Sequence, residues 1–127
     1  MKPVLTLGRQ ERLKSRKLLE QLFRDGQTFF VHPLKVYYRN NDLAAEIKLQ
    51  AGFGASSRTF KKAVDRNRIK RLMREAYRLQ KNNLQTAIEN SNGRLAVFFL
   101  YTAKELPNFD LIKEKMKLVL ERLEKIK

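Results

Sequence analysis

Cysteine is absent from the 127 residues, which removes disulfide bridges, thiolate zinc sites and thiol nucleophiles together. Histidine occurs once, as His32 directly before Pro33, and no cluster of histidines and carboxylates at metal-ligand spacing accompanies it. No metal centre and no catalytic residue are therefore expected in the polypeptide. Acidic residues are scarce, 13 against 28 Lys and Arg, and most sit among basic neighbours, where they read as helix-surface ion pairs. No apolar run reaches the length of a membrane span, and the N-terminal residues lack the apolar stretch of a secretory signal. A cytoplasmic protein with no membrane partner and no small-molecule substrate is expected. Repeats, low-complexity tracts and linkers rich in Pro, Gly or Ser are missing as well, so residues 1–127 are read as one domain. Gly52-Phe53-Gly54 lacks the rest of any phosphate-binding glycine signature and reads as a strand irregularity.

What the chain has in excess is positive charge. The formal net charge of +15 repels itself unless something anionic lies nearby, which makes nucleic acid the leading partner and an anionic membrane surface the second. The excess is uneven. Between residues 58 and 81 stand ten basic side chains (Arg58, Lys61, Lys62, Arg66, Arg68, Lys70, Arg71, Arg74, Arg78, Lys81) against Asp65 and Glu75. A solvated helix face is the alternative explanation, but so many cations without matching acids point to phosphate. Hydrophobic residues, 43% of the chain, come in short patterned runs, enough for a core at a length where folding buries roughly two-thirds of the unfolded surface.

Residues 1–12 read as a basic arm. Ser15 then caps a helix whose apolar positions Leu18, Leu19, Leu22 and Phe23 fall at helical spacing before Gly26 stops it. Phe29 to Arg39 is rich in aromatic and β-branched residues, and Pro33 breaks it into a short strand and a longer one from Leu34. By alternation Lys35, Tyr37 and Arg39 share one side of that strand, a combination closer to a nucleic-acid surface than to a core. Asn40 to Asp42 supplies a turn, and a further strand lies within Glu46 to Ser57, where Gly52 and Gly54 mark a bulge or a close backbone approach. From Lys61 to Leu84 the period is helical. Ile69, Leu72, Met73, Ala76 and Leu79 share one face, and Asn67, Lys70, Arg71, Arg74, Arg78 and Lys81 the opposite one, with Arg66 and Arg68 at the borders of the apolar stripe. After a turn over Asn90 to Gly93, Leu95 to Tyr101 has the composition of a central strand. A last helix follows Pro107, with Phe109, Ile112, Met116, Val119, Leu120 and Leu123 at helical spacing. The order α-β-β-β-α-β-α makes an α+β domain with helices packed on a central sheet.

The stretch from Ser57 to Arg78, with Arg66-Asn67-Arg68-Ile69-Lys70-Arg71 at its centre, resembles the signature of the bacterial ribonuclease P protein family. About twenty positions agree in register, and the similarity extends to Arg12-Leu13-Lys14, Phe23 and Gly26. The resemblance implies an unusual left-handed crossover, a helix that faces a catalytic RNA, and a cleft between the first helix and the sheet for the single-stranded 5′ leader of precursor tRNA. It also implies that the active site and its Mg2+ lie in the RNA, the protein alone being inactive and binding no cofactor. Carried over by position, Arg66, Asn67, Arg68, Lys70 and Arg71 become RNA contacts, extended by Arg74 and by Arg58, Lys61 and Lys62 ahead of the helix. Phe23 and Tyr37 match aromatic cleft positions, with Lys35 and Arg39 beside them, although Phe23 also reads as ordinary core. Two departures stand out: Leu19 replaces a frequent Phe, and Ala55-Ser56-Ser57-Arg58 follows the usual Ser-Val-Ser-Lys only loosely. Two other classes share the charge: a ribosomal or RNA-chaperone protein, and a DNA-binding regulator, for which the strand-like sequence ahead of the basic helix is a poor match.

Overall fold

The structure, a computed structural model, describes residues 12–13, 15–40, 49–91 and 93–125. Its elements are α1 (Arg16–Asp25), β1 (Gln27–Val31), β2 (Leu34–Asn40), β3 (Leu49–Ala55), α2 (Ala63–Gln80), α3 (Asn82–Asn90), β4 (Leu95–Tyr101) and α4 (Phe109–Lys125). This is the expected α+β order with one helix more. Where the sequence period suggests a single helix over 61–84, α2 ends at Gln80 and α3 begins at Asn82, with only Lys81 between them. Lys81 keeps right-handed helical dihedrals (φ −74°, ψ −16°), so the interruption is local. It is followed by Asn82 and Asn83, whose side chains compete for backbone hydrogen bonds and weaken a helix interior. The basic arm expected over residues 1–12 lies outside the described residues except for Arg12, which bridges Ala51. The turn after Asn40 and the first residues of the expected third strand also lie outside them.

Local chemistry explains the element ends. Ser15 Oγ accepts from the Leu18 amide at 3.3 Å and opens α1, and the Gly26 amide closes it on Leu22 O at 2.9 Å. Asn108 Oδ1 accepts from the Leu111 amide at 2.8 Å at the start of α4. β1 and β2 form a hairpin around His32 and Pro33, joined by a cis peptide bond.

The strands form one sheet in the order β1-β2-β4-β3, antiparallel except for the parallel pair β3 and β4. A parallel pair requires a crossover, and α2 with α3 supplies it. The β3–β4 register runs unbroken from Leu49↔Leu95 to Ala55↔Tyr101, so Gly52 and Gly54 mark no bulge. They mark a close approach: a Cβ at Gly52 would lie 2.8 Å, and one at Gly54 2.7 Å, from the Phe98 ring. The two glycines leave a shallow bed in which Phe98 lies.

Alternation gives the sheet two unlike faces. Val36, Tyr38, Ala51, Val97 and Phe99 belong to the main core with Ile69, Met73, Ala76 and Tyr77 of α2 and Ile112, Met116 and Val119 of α4. Tyr77 takes the inward place expected for Leu79, which is exposed, because its ring packs against Phe53 and Phe99, both at 5.6 Å between centroids. The apolar stripe of α2 is thereby turned towards β3. On the opposite face α1 builds a smaller cluster from Leu13, Leu22 and Ala96, with Leu18, Leu19, Tyr37 and Phe98 packed against it.

Candidate nucleic-acid interface

On the α1 face, α1 and β2 bring Phe23 and Tyr37 together, with ring centroids 5.0 Å apart in an edge-to-face pair. Phe23 meets Phe98 of β4 in the same way at 5.1 Å. Edge-to-face contact is the arrangement that the ring quadrupoles favour, and it leaves ring surface open. Phe23 is 48% exposed, so it is not a core residue despite its place on the apolar face of α1. Lys35 and Arg39 flank Tyr37 on the same side of β2, as the alternation predicts. Lys35 Nζ stands 5.1 Å from the Tyr37 ring centroid, a cation–π contact. Arg39 Nη1 lies 3.8 Å from Asp25 Oδ2, which ties β2 to the end of α1 and partly offsets the Arg39 charge. Leu19 packs against the small cluster under α1. Phe98 completes the groove and was hidden in an apolar run. It shares a face with Tyr37 only because β2 and β4 are neighbours with Tyr37 opposite Phe98. The one hint in the sequence was the pair of glycines that seat it.

On the other side of the molecule α2 turns its cations outward. Asn67, Arg68 and Arg71 are exposed, while Lys70 and Arg74 are half-buried along their stems. Among the described residues no carboxylate pairs with Arg68, Lys70, Arg71 or Arg74. Arg78 differs: it binds Glu75, its Nε donating to Oε2 at 3.1 Å, and that hydrogen bond holds the Glu75 carboxyl below its ordinary range. Arg58, Lys61 and Lys62 are exposed on the segment leading into the helix. Ser56 shapes that segment, its Oγ accepting from the Arg58 amide at 3.1 Å and its carbonyl from the Phe60 amide at 2.9 Å.

Arg66 also makes contacts within the protein. Its Nη1 donates to Phe60 O at 2.7 Å and to Lys61 O at 2.9 Å, pinning the incoming loop against the first turn of α2. Phe60 itself is buried beside Tyr101. Charge counting groups Arg66 with the other cations and does not show that one of its guanidinium nitrogens is held by two backbone carbonyls. Arg66 therefore positions the loop that carries Lys61 and Lys62.

Fold and charge together define a small, strongly basic α+β domain with an aromatic groove on one face of its sheet and a cationic helix on the other. Residues 7–124 match the protein family Ribonuclease P. The chain is 34% identical over 124 residues to the ribonuclease P protein component of Porphyromonas gingivalis strain W83, covering 95% of this chain and 88% of that one. It is 32% identical over 126 residues to the corresponding component of Chlorobaculum tepidum, covering 92% and 82%. In fold it is similar to the RNase P protein from Thermotoga maritima, with a TM-score of 0.65 at 24% identity over 88% of this chain and 96% of that one. The RNase P protein of Staphylococcus aureus gives 0.61 at 22% identity over 91% and 94%. The chain therefore belongs to the ribonuclease P protein family, and its role lies in tRNA processing.

Proposed function

We propose that this chain is the protein subunit of ribonuclease P, binding the catalytic RNA and the 5′ leader of precursor tRNA and promoting endonucleolytic removal of that leader. The observation that carries the reading is the pairing of two unlike surfaces on opposite sides of one sheet. Arg68, Lys70, Arg71 and Arg74, with Asn67 and with Arg58, Lys61 and Lys62 ahead of them, suit a phosphate backbone. Arginine forks pair with phosphate oxygens in a bidentate way and lysines add point charge, contacts that position RNA without reading bases. The groove of Phe23, Tyr37 and Phe98, flanked by Lys35 and Arg39, suits unpaired bases, because every base offers a face to an aromatic ring. A cytoplasmic setting goes with this reading. Among the described residues no helix is long and apolar enough to cross a membrane.

The chemistry in this proposal belongs to the RNA and its Mg2+. Among the described residues no three His or carboxylate side chains gather where they could hold a metal ion, and cations aimed at phosphates bind and screen rather than activate water. The purified protein is therefore expected not to cleave precursor tRNA, and addition of the cognate RNA and magnesium is expected to give cleavage at the leader junction. The protein's benefit should be largest at low magnesium and modest salt, where screening by free cations is weakest. Sustained site-specific cleavage by nuclease-treated protein, lost on changing His32 or a carboxylate, would move the chemistry into the polypeptide.

The groove has its own test. Tyr37→Ala should weaken holoenzyme binding to precursor tRNA by roughly 1–3 kcal/mol, the range for one base stacked on one aromatic ring, and leave mature tRNA binding unchanged. Equal losses for both ligands would argue against a leader groove. Tyr37 is half-buried, so a melting curve should accompany the measurement.

A further inference from the structure

We propose that Phe30 and His32, with Lys35 beside them, form an additional nucleotide-stacking position that continues the groove across the sheet to the β1 edge. The inference rests on the reading that the groove of Phe23, Tyr37 and Phe98 receives the leader.

Register places the new position on the right side of the sheet. Phe30 lies opposite Lys35 and Thr28 opposite Tyr37, so the Phe30 side chain emerges on the groove face while Phe29 turns to the core, where Arg122 of α4 covers its ring at 4.4 Å. α1 covers the other end of that face, around Ala96 and Leu22. At the opposite end Phe30 itself is 52% exposed.

Scattered exposed apolar residues are ordinary on protein surfaces and call for no partner. Phe30 is not scattered. The His32 ring lies 5.8 Å from it, centroid to centroid, and Lys35, its partner across the strands, carries its Nζ 5.1 Å from the Tyr37 ring centroid. Along this line the face offers an aromatic, a cation, an aromatic and an imidazole in turn. A single strand stacked on Tyr37 and then on Phe30 would pass its phosphates over Lys35, the combination of stacking and backbone charge by which single strands are held. Tyr37 and Phe30 are diagonal neighbours on paired strands, roughly 7–8 Å apart, which is about two stacked nucleotide steps at about 3.4 Å each. An open phenylalanine on an edge strand is otherwise an aggregation liability of the kind edge strands avoid, and a stacked base would cover it.

The test uses reconstituted holoenzyme and precursor tRNAs whose leaders are shortened one nucleotide at a time. Phe30→Ala should weaken binding by about fivefold, the low end for one stacked base, on leaders long enough to reach it and have no effect on shorter ones. The length at which its effect vanishes should differ by about two nucleotides from that for Tyr37→Ala. Phe30→Trp should retain affinity, and Phe30→Leu, apolar but not aromatic, should lose it. A full Tyr37→Ala effect with none from Phe30→Ala or Phe30→Leu would overturn the additional position and leave the groove standing. No effect from either Tyr37→Ala or Phe30→Ala would overturn the groove itself. A Phe30→Ala loss that ignores leader length, or that appears in binding of the catalytic RNA alone, would assign Phe30 to another contact and overturn the proposal.

Discussion

Replacing Arg68, Arg71 and Arg74 together with alanine is expected to weaken binding of the catalytic RNA by on the order of a hundredfold near physiological salt. Each phosphate contact removed takes roughly 0.7–0.9 units from the slope of log affinity against log salt, so the triple variant should be flatter by roughly two to three units. The three arginines suit the experiment because none of them holds the fold: all lie on the outward side of α2, and among the described residues none has a carboxylate partner. Arg66, the most conspicuous cation of the motif, is a poorer choice. Its loss strands the Phe60 and Lys61 carbonyls and loosens the loop that presents Lys61 and Lys62, so a drop in affinity would mix two causes. Unchanged affinity and unchanged slope in a folded triple variant would remove this face of α2 from the RNA interface.

Phe99→Ala is expected to cost roughly 3–5 kcal/mol of stability, the usual range for truncating a buried phenylalanine. Phe99 has no exposed surface, stacks on Phe53 at 5.4 Å between centroids and packs against Tyr77 at 5.6 Å. Against a total of about 5–15 kcal/mol for a domain, such a loss takes a large share, and the urea midpoint should fall accordingly. The damage should spread to RNA binding, because Tyr77 anchors the inner side of the helix whose outer side carries the arginines. A cost under about 1 kcal/mol, typical of a surface site, would contradict the burial of Phe99.

The parts of this fold that were legible in the sequence are those with local causes. Ser15 and Gly26 bound α1 because a side-chain cap and a tight carbonyl contact act over a few residues. Lys35, Tyr37 and Arg39 share a side because strand alternation needs no knowledge of neighbouring strands. The division of α2 from α3 at Lys81 leaves no trace in the sequence period, which persists on both sides of it. The apolar period favours Leu79 over Tyr77 for the core, because the direction of the stripe is decided by Phe53 and Phe99, which arrive from distant strands. Phe98 could not be assigned to the groove before the strand order was known. The parallel pairing of β3 with β4 left no local mark, and the handedness of its crossover came with the family resemblance. The backbone contacts of Arg66 were not legible for a different reason. Composition counts a charge but not the direction in which its fork points, and two carbonyls six and five residues back claim this one.

Phe98 and Phe99 are consecutive in β4, yet one ring lies in the groove and the other supports Tyr77 beneath the basic helix. The stand-off between the two surfaces is therefore one sheet plus one helix, and a helix is about 10 Å across. Close packing in the layer between them resists compression, so this distance is as rigid as the core itself. Under the proposed assignment the domain works as a caliper. One jaw rests on a phosphate backbone and the other on an unpaired strand, and neither reads a base, yet the span between them is fixed by the beam. Selectivity for a substrate then comes from where its single strand begins relative to the folded RNA, a matter of length and place rather than of sequence.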